Sequence, residues 1–303
     1  MPIDYSTTAL VASIKLKGSL PSSQNLFSDD DLISFLDSEM RSLIVPQIMD
    51  TREEFLIESV DIVTTTGVLN IPSNAIGLKL KLVELVRGDG SSFPLPRIEY
   101  QQRGSLSNTN GSGTPIWFYL KGNKVYCYPA PTTGVPVTIR LTYLRRPNIL
   151  TSTNNCGQIT AIDVNTGIVS VVAAPTTWAV GTRLDIIQGI PGFDSLYENI
   201  AIVAVAGFDI TLASVVGLSV GDWLSPAGFS PIPQVVFEAH NLIAQAAAAK
   251  AMESLADSAG LEAAQAKLQE IQKSFNTMIT PRVDSSVKKI VQFNGPMRGG
   301  GRF

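Results

Sequence analysis

The chain has 303 residues, of which 45% are hydrophobic and only 16% charged, against roughly 25% charged in an average soluble domain. A net charge of −3 speaks against a generally basic nucleic-acid binder, and one histidine with two cysteines rules out Cys₄, Cys₂His₂ and multi-histidine metal centres and any disulfide framework. A surface so poor in charge needs other cover, from Gly, Pro, Ser, Thr and Asn or from other subunits.

The start of the chain shows no basic region followed by an apolar run, so no secretory signal is read there. Its longest weakly polar stretch, 200–207, is far short of the ~20 residues that span a bilayer, so a soluble protein without membrane contact is expected. Residues 1–61 read as an acidic helical segment. Ser28 precedes Asp29, Asp30 and Asp31 and then Leu32, Ile33, Phe35 and Leu36, an N-cap with carboxylates at the positive end of the helix dipole. No oxygen-ligand pattern or glycine turn follows, which disfavours a calcium or magnesium site there. Between Ser28 and Asp61 ten acidic residues face two basic ones, Arg41 and Arg52. That local balance of −8 suits a solvated face, or a surface that must not adhere to what passes it.

Residues 62–147 read as a β-rich region packed with the helices. Leu78, Leu80 and Leu82 alternate with Lys79 and Lys81, as in a strand with one buried face. Gly88-Asp89-Gly90 is a turn, which also accounts for the adhesion-like Arg87-Gly88-Asp89. A hairpin is expected from Ile116–Leu120, Gly122-Asn123 and Val125–Tyr128, and a further strand from Val137 to Tyr143. The polar stretch from Gln101 to Thr114 has the length of a functional or disordered loop.

Residues 148–231 contain one basic residue, Arg183, and an internal echo at an offset of 40. Val172-Ala173-Ala174, Val180-Gly181 and Leu184 are answered by Leu212-Ala213-Ser214, Val220-Gly221 and Leu224. A duplicated hairpin unit closing into a small inserted β-barrel or sandwich is expected. Trp178 and Trp223 lie beside the repeated Val-Gly step, which favours a core position; exposed, they would be platforms for sugars.

Residues 232–281 read as C-terminal helices. Pro233 stands near a helix start, the alanine-rich stretch 234–257 follows, and Gly260 ends or breaks that helix. Leu261, Ala264, Leu268, Ile271, Phe275 and Met278 then recur at intervals of three and four, a helix-packing seam. Residues 282–303 form a basic arm with a balance of +4. In it Val287, Ile290, Val291, Phe293 and Met297 interleave with Arg282, Lys288, Lys289, Arg298 and Arg302. Apolar residues among the charges favour docking over plain solvation or non-specific phosphate contact. The fold class is thus α+β, with helical terminal segments forming a bundle around a β region and an inserted β domain.

Chemistry is hard to place in this chain. Any Ser-His-Asp or Cys-His arrangement would need His240, which stands inside the alanine-rich helix beside Asn241, where a packed histidine is the plainer reading. No nucleophile elbow or phosphate-binding loop occurs, and Gly299–Gly301 precede no helix. No carboxylate pair is singled out for glycoside hydrolysis. Catalytic residues, cofactor sites and metal sites are therefore read as none.

Several stretches together carry a resemblance: Tyr5, Asp29-Asp30-Asp31-Leu32-Ile33, Ile71-Pro72-Ser73-Asn74-Ala75-Ile76, Lys121-Gly122-Asn123-Lys124-Val125, Tyr128-Pro129-Ala130-Pro131, Tyr143-Leu144-Arg145-Arg146-Pro147 and Pro281-Arg282-Val283. The chain resembles the head-to-tail adaptor, or connector, proteins of tailed bacteriophages, especially short-tailed ones. Smaller adaptors of this kind are mainly helical, and the insert at 148–231 departs from them. The resemblance implies a virion protein of the neck, assembled in the host cytoplasm, in a ring of about twelve copies. It also implies a structural role, with the portal as partner gripped by Arg282, Val287, Lys288, Lys289, Ile290, Phe293, Arg298 and Arg302. The β insert, with Trp178 and Trp223, would meet the tail nozzle or tube and fibres or spikes, and DNA would be passing cargo. The alternatives are a tail tube or tail-completion protein, or a carbohydrate-binding β-domain protein.

Overall fold

The computed structural model describes residues 5–18, 26–104, 113–189 and 195–280. The basic arm, 282–303, and most of the polar loop read between Gln101 and Thr114 lie outside the described residues. Helices from both ends of the chain flank two β units, each with its own apolar core.

The helical unit begins with α1 (Thr7–Lys17) and α2 (Asp29–Glu39). At the start of α2, Ser28 Oγ accepts from the Asp31 amide at 3.2 Å, and Asp31 Oδ2 accepts from the Ser28 amide at 2.8 Å. This reciprocal cap is what the Ser-Asp-Asp-Asp run encodes, and its hydrogen bonds draw the Asp31 pKa below the usual carboxylate range. The helix continues through a π-helical stretch, Met40–Ile44, into α3 (Val45–Thr51). Pro46 cannot donate to the preceding turn, and a wider turn absorbs that loss.

From the other end of the chain come α4 (Phe237–Ser254) and α5 (Ser258–Ile279). The central helix is α4, packed by α1, α2 and α5. Ala239, Ala244, Ala247, Ala248 and Ala251 are buried on it, and small side chains let neighbours approach from several sides at once. Leu10, Ile14, Leu32, Leu36, Ile44 and Ile48 fill the same core.

Two details of the helical reading are corrected. Gly260 does not end α4; the break falls at Leu255–Asp257, with Ala256 at a φ of 54°. Gly260 lies in the first turn of α5, its amide donating to Asp257 Oδ1 at 3.0 Å, and a Cβ there would meet Asp257 Oδ2 at 2.3 Å. Along α5, Ala264 and Phe275 are buried and Leu268 and Ile271 pack against the core, while Leu261 is half-buried. Met278 is 62% exposed, and Ile279 takes the last buried position, because the step from Phe275 that stays on this face is four residues, not three.

The first β unit packs a four-stranded antiparallel sheet, ordered β1 (Ile57–Thr64), β7 (Val137–Arg145), β3 (Ala75–Val86) and β4 (Ser92–Pro94), against a three-stranded one. The latter is ordered β2 (Val68–Asn70), β6 (Lys124–Tyr128) and β5 (Trp117–Lys121). The expected hairpin is β5–β6, with Lys121 opposite Lys124. Strand β1 opens at Ile57, inside the stretch read as helical, since Ile57 to Thr64 alternates with period two. In β3 the buried residues are Ala75, Val83 and Leu85, while Leu78 and Leu82 are exposed. Leu78 has a φ of 54° and the register against β7 shifts twice, so the alternation changes face midway.

The second β unit is a closed six-stranded barrel, ordered β10-β13-β12-β11-β14-β9. Its first half is β9 (Gly157–Asp163), β10 (Ile168–Val171) and β11 (Arg183–Ile187); its second is β12 (Ser195–Ala206), β13 (Asp209–Leu212) and β14 (Trp223–Pro226). The echo at 40 residues is thus a repeated strand-strand-loop-strand unit. Its loops match bond for bond: the Trp178 amide donates to Pro175 O and the Leu218 amide to Val215 O, the Thr182 amide to Ala179 O and the Asp222 amide to Ser219 O. The Gly181 and Gly221 amides, at φ 86° and 101°, donate across the barrel to Ile202 O and Ile159 O.

Two measurements test these cores. Phe275→Ala is expected to cost about 3–5 kcal/mol in chemical unfolding, against less than about 0.5 kcal/mol for Met278→Ala. His240 is 2% exposed, and burial lowers its pKa from 6.5 to about 4. Above its unfolded pKa both states hold it neutral; as pH falls from 6.5 toward 4, only the unfolded chain takes the proton. Stability is therefore expected to drop by up to about 3 kcal/mol across that window, and His240→Gln should flatten the slope between pH 6.5 and 5.

Candidate interaction surfaces and the barrel junction

The barrel hangs from the rest of the chain by a parallel pair, β8 (Ile149–Leu150) beside β15 (Phe229–Ser230), which carry the chain in and out. At their root lies Asp185, 3% exposed, in the middle of strand β11. Asp185 Oδ2 accepts from Asn148 Nδ2 at 2.9 Å and from the Gly228 amide at 2.7 Å, and Oδ1 accepts from the Asn199 amide at 2.9 Å. Its register partner is Ser225, the residue 40 positions on, so Asp185 marks the point about which the two barrel halves are related.

A second tier ties the barrel to the four-stranded sheet. Arg145, at the end of β7, pairs with Glu58 of β1 at 3.2 Å, and its Nη1 donates to Ser195 Oγ at 3.2 Å. Gln234 Nε2 donates to the same oxygen at 2.9 Å, and Gln234 Oε1 accepts from the Asn148 amide at 2.8 Å. Asn74 Nδ2 donates to Glu198 Oε1 at 2.9 Å. The pKa of Glu198 is raised first by burial and then by Glu58 and Asp185, with Arg145 opposing. The helices join too: Asp37 accepts from the Leu150 amide at 3.0 Å, and Thr7 Oγ1 donates to Thr151 O at 2.8 Å. The barrel is therefore held in one orientation by buried, directional bonds. Asn74 and Arg145 stand in stretches that carry the resemblance, but no junction was read from them or from the others; the signal available was a charge inside the apolar run Leu184-Asp185-Ile186-Ile187.

The two tryptophans do not form a platform. Trp178 is 6% exposed and belongs to the barrel core with Val169, Leu184, Ile202 and Leu224; Trp223 is half-buried in β14. What the barrel exposes instead is aliphatic and aromatic: Val164, Val172, Val180, Val203, Phe208, Val216 and Val220. Val180 and Val220 occupy equivalent places in the two repeats. The adhesion-like triplet is a tight turn, closed by the Gly90 amide on Arg87 O at 2.9 Å.

The acidic stretch 28–61 is not an open anionic face. Asp29 pairs with Lys15, Asp37 with Arg41, Glu39 with Lys250, Glu53 with Lys81, Glu54 with Arg52, Glu58 with Arg145 and Asp61 with Arg140. Asp31 is spent on its cap. Cations drawn from distant parts of the chain neutralise most of the excess, which corrects the expectation of a repelling surface.

A cleft of about 490 Å³ opens between the end of α1, α4 and α5, lined by Lys17, Gln245, Met252, Asp257 and Lys267. Burial, then the nearby Lys267 charge, lowers the Lys17 pKa, and Lys17 Nζ donates to Asn241 Oδ1 at 2.8 Å. His240 faces inward, its Nε2 within 3.2 Å of Pro233 O, with Tyr5 edge-on at 5.0 Å. Burial lifts the Cys127 and Cys156 thiols to about 12. Among the described residues no group of three or more His, Cys, Asp or Glu side chains is arranged to hold a metal ion, and no helix is long and apolar enough to cross a membrane.

Residues 10–182, more than half of the chain, match the SU10 adaptor protein family. The chain belongs to this family. The matched span begins inside α1, takes in α2, α3, both sheets and β9 and β10 of the barrel, and stops at Thr182, just before β11. Among curated proteins no match is found. SU10 adaptors are structural proteins of bacteriophages, so membership makes the chain a phage structural adaptor, a component of the virion that contacts other structural proteins.

The junction makes a direct prediction. Asp185→Ala leaves the Asn148 amide and two backbone N–H groups buried without their acceptor, at an expected cost of about 2–4 kcal/mol. Tryptophan-detected urea unfolding measures it, with Asp209→Ala on the exposed barrel surface as the control; equal midpoints for the two variants would show that Asp185 does not hold the junction.

Proposed function

We propose that the chain assembles as a ring below the portal of a short-tailed phage, joins the capsid vertex to the tail, and lets DNA through as passing cargo. The observation that carries this reading is the family match over residues 10–182. Three features support it. The charge content is low, as suits a subunit with much of its surface covered by neighbours. Seven large apolar side chains stand exposed on the barrel alone. The barrel is fixed to the body by buried polar bonds, so it can transmit a defined geometry to a partner.

In this reading the helices and the two sheets build the ring, with about twelve copies closing by heterologous contacts. The barrel surface bearing Val180, Val216 and Val220 meets tail components, a nozzle or tube with its fibres or spikes. Trp178 takes no direct part, since it is core. The basic arm grips the portal through Arg282, Lys288, Lys289, Arg298 and Arg302, with Val287, Ile290 and Phe293 as apolar anchors. No catalytic step is assigned to the chain, and its assembly takes place in the host cytoplasm.

Light scattering with negative-stain imaging, on the full chain alone and with the cognate portal, tests the ring. Rings in either sample are the expected result; a monomer that ignores portal overturns the reading. Replacing Lys288, Lys289 and Arg298 together by Glu is expected to weaken portal binding at least about tenfold, with the effect shrinking as salt is raised. Unchanged binding would take the arm out of the portal contact.

A further inference from the structure

The outer face of the three-stranded sheet carries side chains that neither the cores nor the barrel junction uses. Along the hairpin β5–β6, Phe118, Val125 and Cys127 lie in the core and Leu120 packs against it. The alternate residues point away from it and face one another as three cross-strand pairs: Trp117 with Tyr128, Tyr119 with Tyr126, and Lys121 with Lys124. The Tyr119 and Tyr126 rings stack at 5.1 Å and 8°, and those of Trp117 and Tyr128 lie 6.4 Å apart at 30°. Tyr100, from the short turn Tyr100–Gly104, stands edge-on to Tyr119 at 5.7 Å and is itself 48% exposed. Val68 of β2, also exposed, is the register partner of Tyr126.

Three properties of this ladder define a ligand. Trp117, Tyr126 and Tyr128 are half-buried, so part of each ring meets solvent as a flat apolar surface. The Tyr126 and Tyr128 hydroxyls have no partner among the described residues, which leaves two donors for the carbonyls of a ligand. Lys121 and Lys124 are exposed, stand directly opposite each other, and meet no carboxylate at ion-pair distance among the described residues. Like charges opposed in this way cost stability, and a carboxylate from outside relieves that cost. Lys121 Nζ also lies 5.5 Å from the centre of the Tyr100 ring, which joins the cations to the aromatic stack.

The cations stand at one end of the ladder and not along it. A single nucleic-acid strand carries a phosphate on every residue and needs a basic track beside the rings. A peptide with acids at one end fits the pattern instead. From Trp117 to Lys121 the ladder is roughly 14 Å long. That is about four to five residues of polyproline II, whose carbonyls have no internal partners and which docks on aromatic-lined surfaces at low entropic cost.

The geometry points to a peptide-binding face: the β5–β6 ladder takes a proline-rich segment of another structural protein, with its acidic end on Lys121 and Lys124. Trp117, Tyr126 and Tyr128 receive the prolines, and the two free hydroxyls bond the peptide carbonyls. The face belongs to the first β unit, so it is distinct from the exposed barrel surface and from the C-terminal arm, and it does not depend on ring formation.

Fluorescence anisotropy with the full chain and labelled ten-residue peptides tests it. The probes are two repeats of Pro-Pro-Leu-Pro with Glu-Glu at one end or the other, the same peptides with Lys-Lys in place of Glu-Glu, and a ten-nucleotide oligothymidylate. One of the Glu peptides is expected to bind saturably, at least about tenfold more tightly than its Lys counterpart. Lys121→Glu/Lys124→Glu should invert that preference, and Trp117→Ala should weaken the Glu peptide at least about tenfold. Urea midpoints check the folding of both variants; the charge inversion, on exposed side chains, keeps the test decisive if Trp117→Ala does not fold. No binding of either Glu peptide overturns the inference, as does a preference that the charge inversion leaves unchanged. Full binding by a folded Trp117→Ala chain would remove the ladder as the seat of the peptide. Tighter binding of the oligothymidylate by the wild-type chain would identify a nucleic-acid platform and equally overturn the reading.

Discussion

A carboxylate buried in a β-barrel is costly unless its lone pairs are used, and Asp185 has three donors aimed at it. Those donors come from Asn148 just before the entry strand, Gly228 just before the exit strand and Asn199 in the second repeat. Satisfying one charge therefore requires all three to be in place together. The barrel could close on its apolar core alone, but its orientation on the body could not be set that way, because apolar contacts carry little direction. Asn148 extends the arrangement through Gln234 to Ser195 and Arg145, and Arg145 reaches Glu58 on the far edge of the sheet. One chain of polar contacts thus runs from the barrel repeat to the sheet edge.

The charge economy follows the same principle. With charged residues at 16%, the chain has few to spare, and it spends them on joining elements far apart in sequence. Lys250 of α4 meets Glu39 of α2, Lys81 of β3 meets Glu53, and Arg140 of β7 meets Asp61 of β1 with Nε–Oδ1 at 2.7 Å. Exposed pairs of this kind add little stability one by one. Their larger effect is to leave broad areas of surface without net charge, where Val, Phe and Ile side chains stand in water. Such a surface is poorly suited to a free monomer and well suited to a subunit that packs against copies of itself and other structural proteins.

Much of this architecture was legible in the sequence because it is written in local periods. The Ser28 cap, the β5–β6 hairpin, the alanine-rich α4 and the seam of α5 each occupy contiguous residues whose spacing maps onto one face. The barrel was legible for a different reason, since duplication repeats its turn chemistry at a fixed offset. What escaped was whatever depends on a single residue changing the frame. The bulge at Lys81, between Leu80 and Leu82, moves the buried face of β3 from Leu82 to Val83, and Asp257 recruits Gly260 into a helix that a glycine there would usually end. The junction escaped altogether, because Asp37, Arg145, Asn148, Asp185, Ser195 and Gln234 share no spacing. Only folding brings them together, and only an isolated charge within an apolar strand hinted at where.

The family match ends at Thr182, before β11, the last strand of the barrel's first half, and the barrel cannot close without the strands beyond. The first repeat, as matched, would leave β9 and β10 with open edges and Val169 and Ile159 without a lid. The residues beyond 182 therefore complete a structure that the matched span begins, and α4, also outside the match, fills the centre of the helical core that α1 and α2 begin. Physical completeness and sequence similarity give different boundaries for this protein. The first is the better guide to which part of the chain can fold: α4 supplies Leu242, Ile243, Ala247 and Ala251 to the same cluster as Leu32, Leu36 and Ile44, so the N-terminal helices have no closed core without it. The two ends of the described chain meet in one core, with two β units strung between them: Ile279 of α5 shares the cluster with Ile14 of α1 and Ile48 of α3.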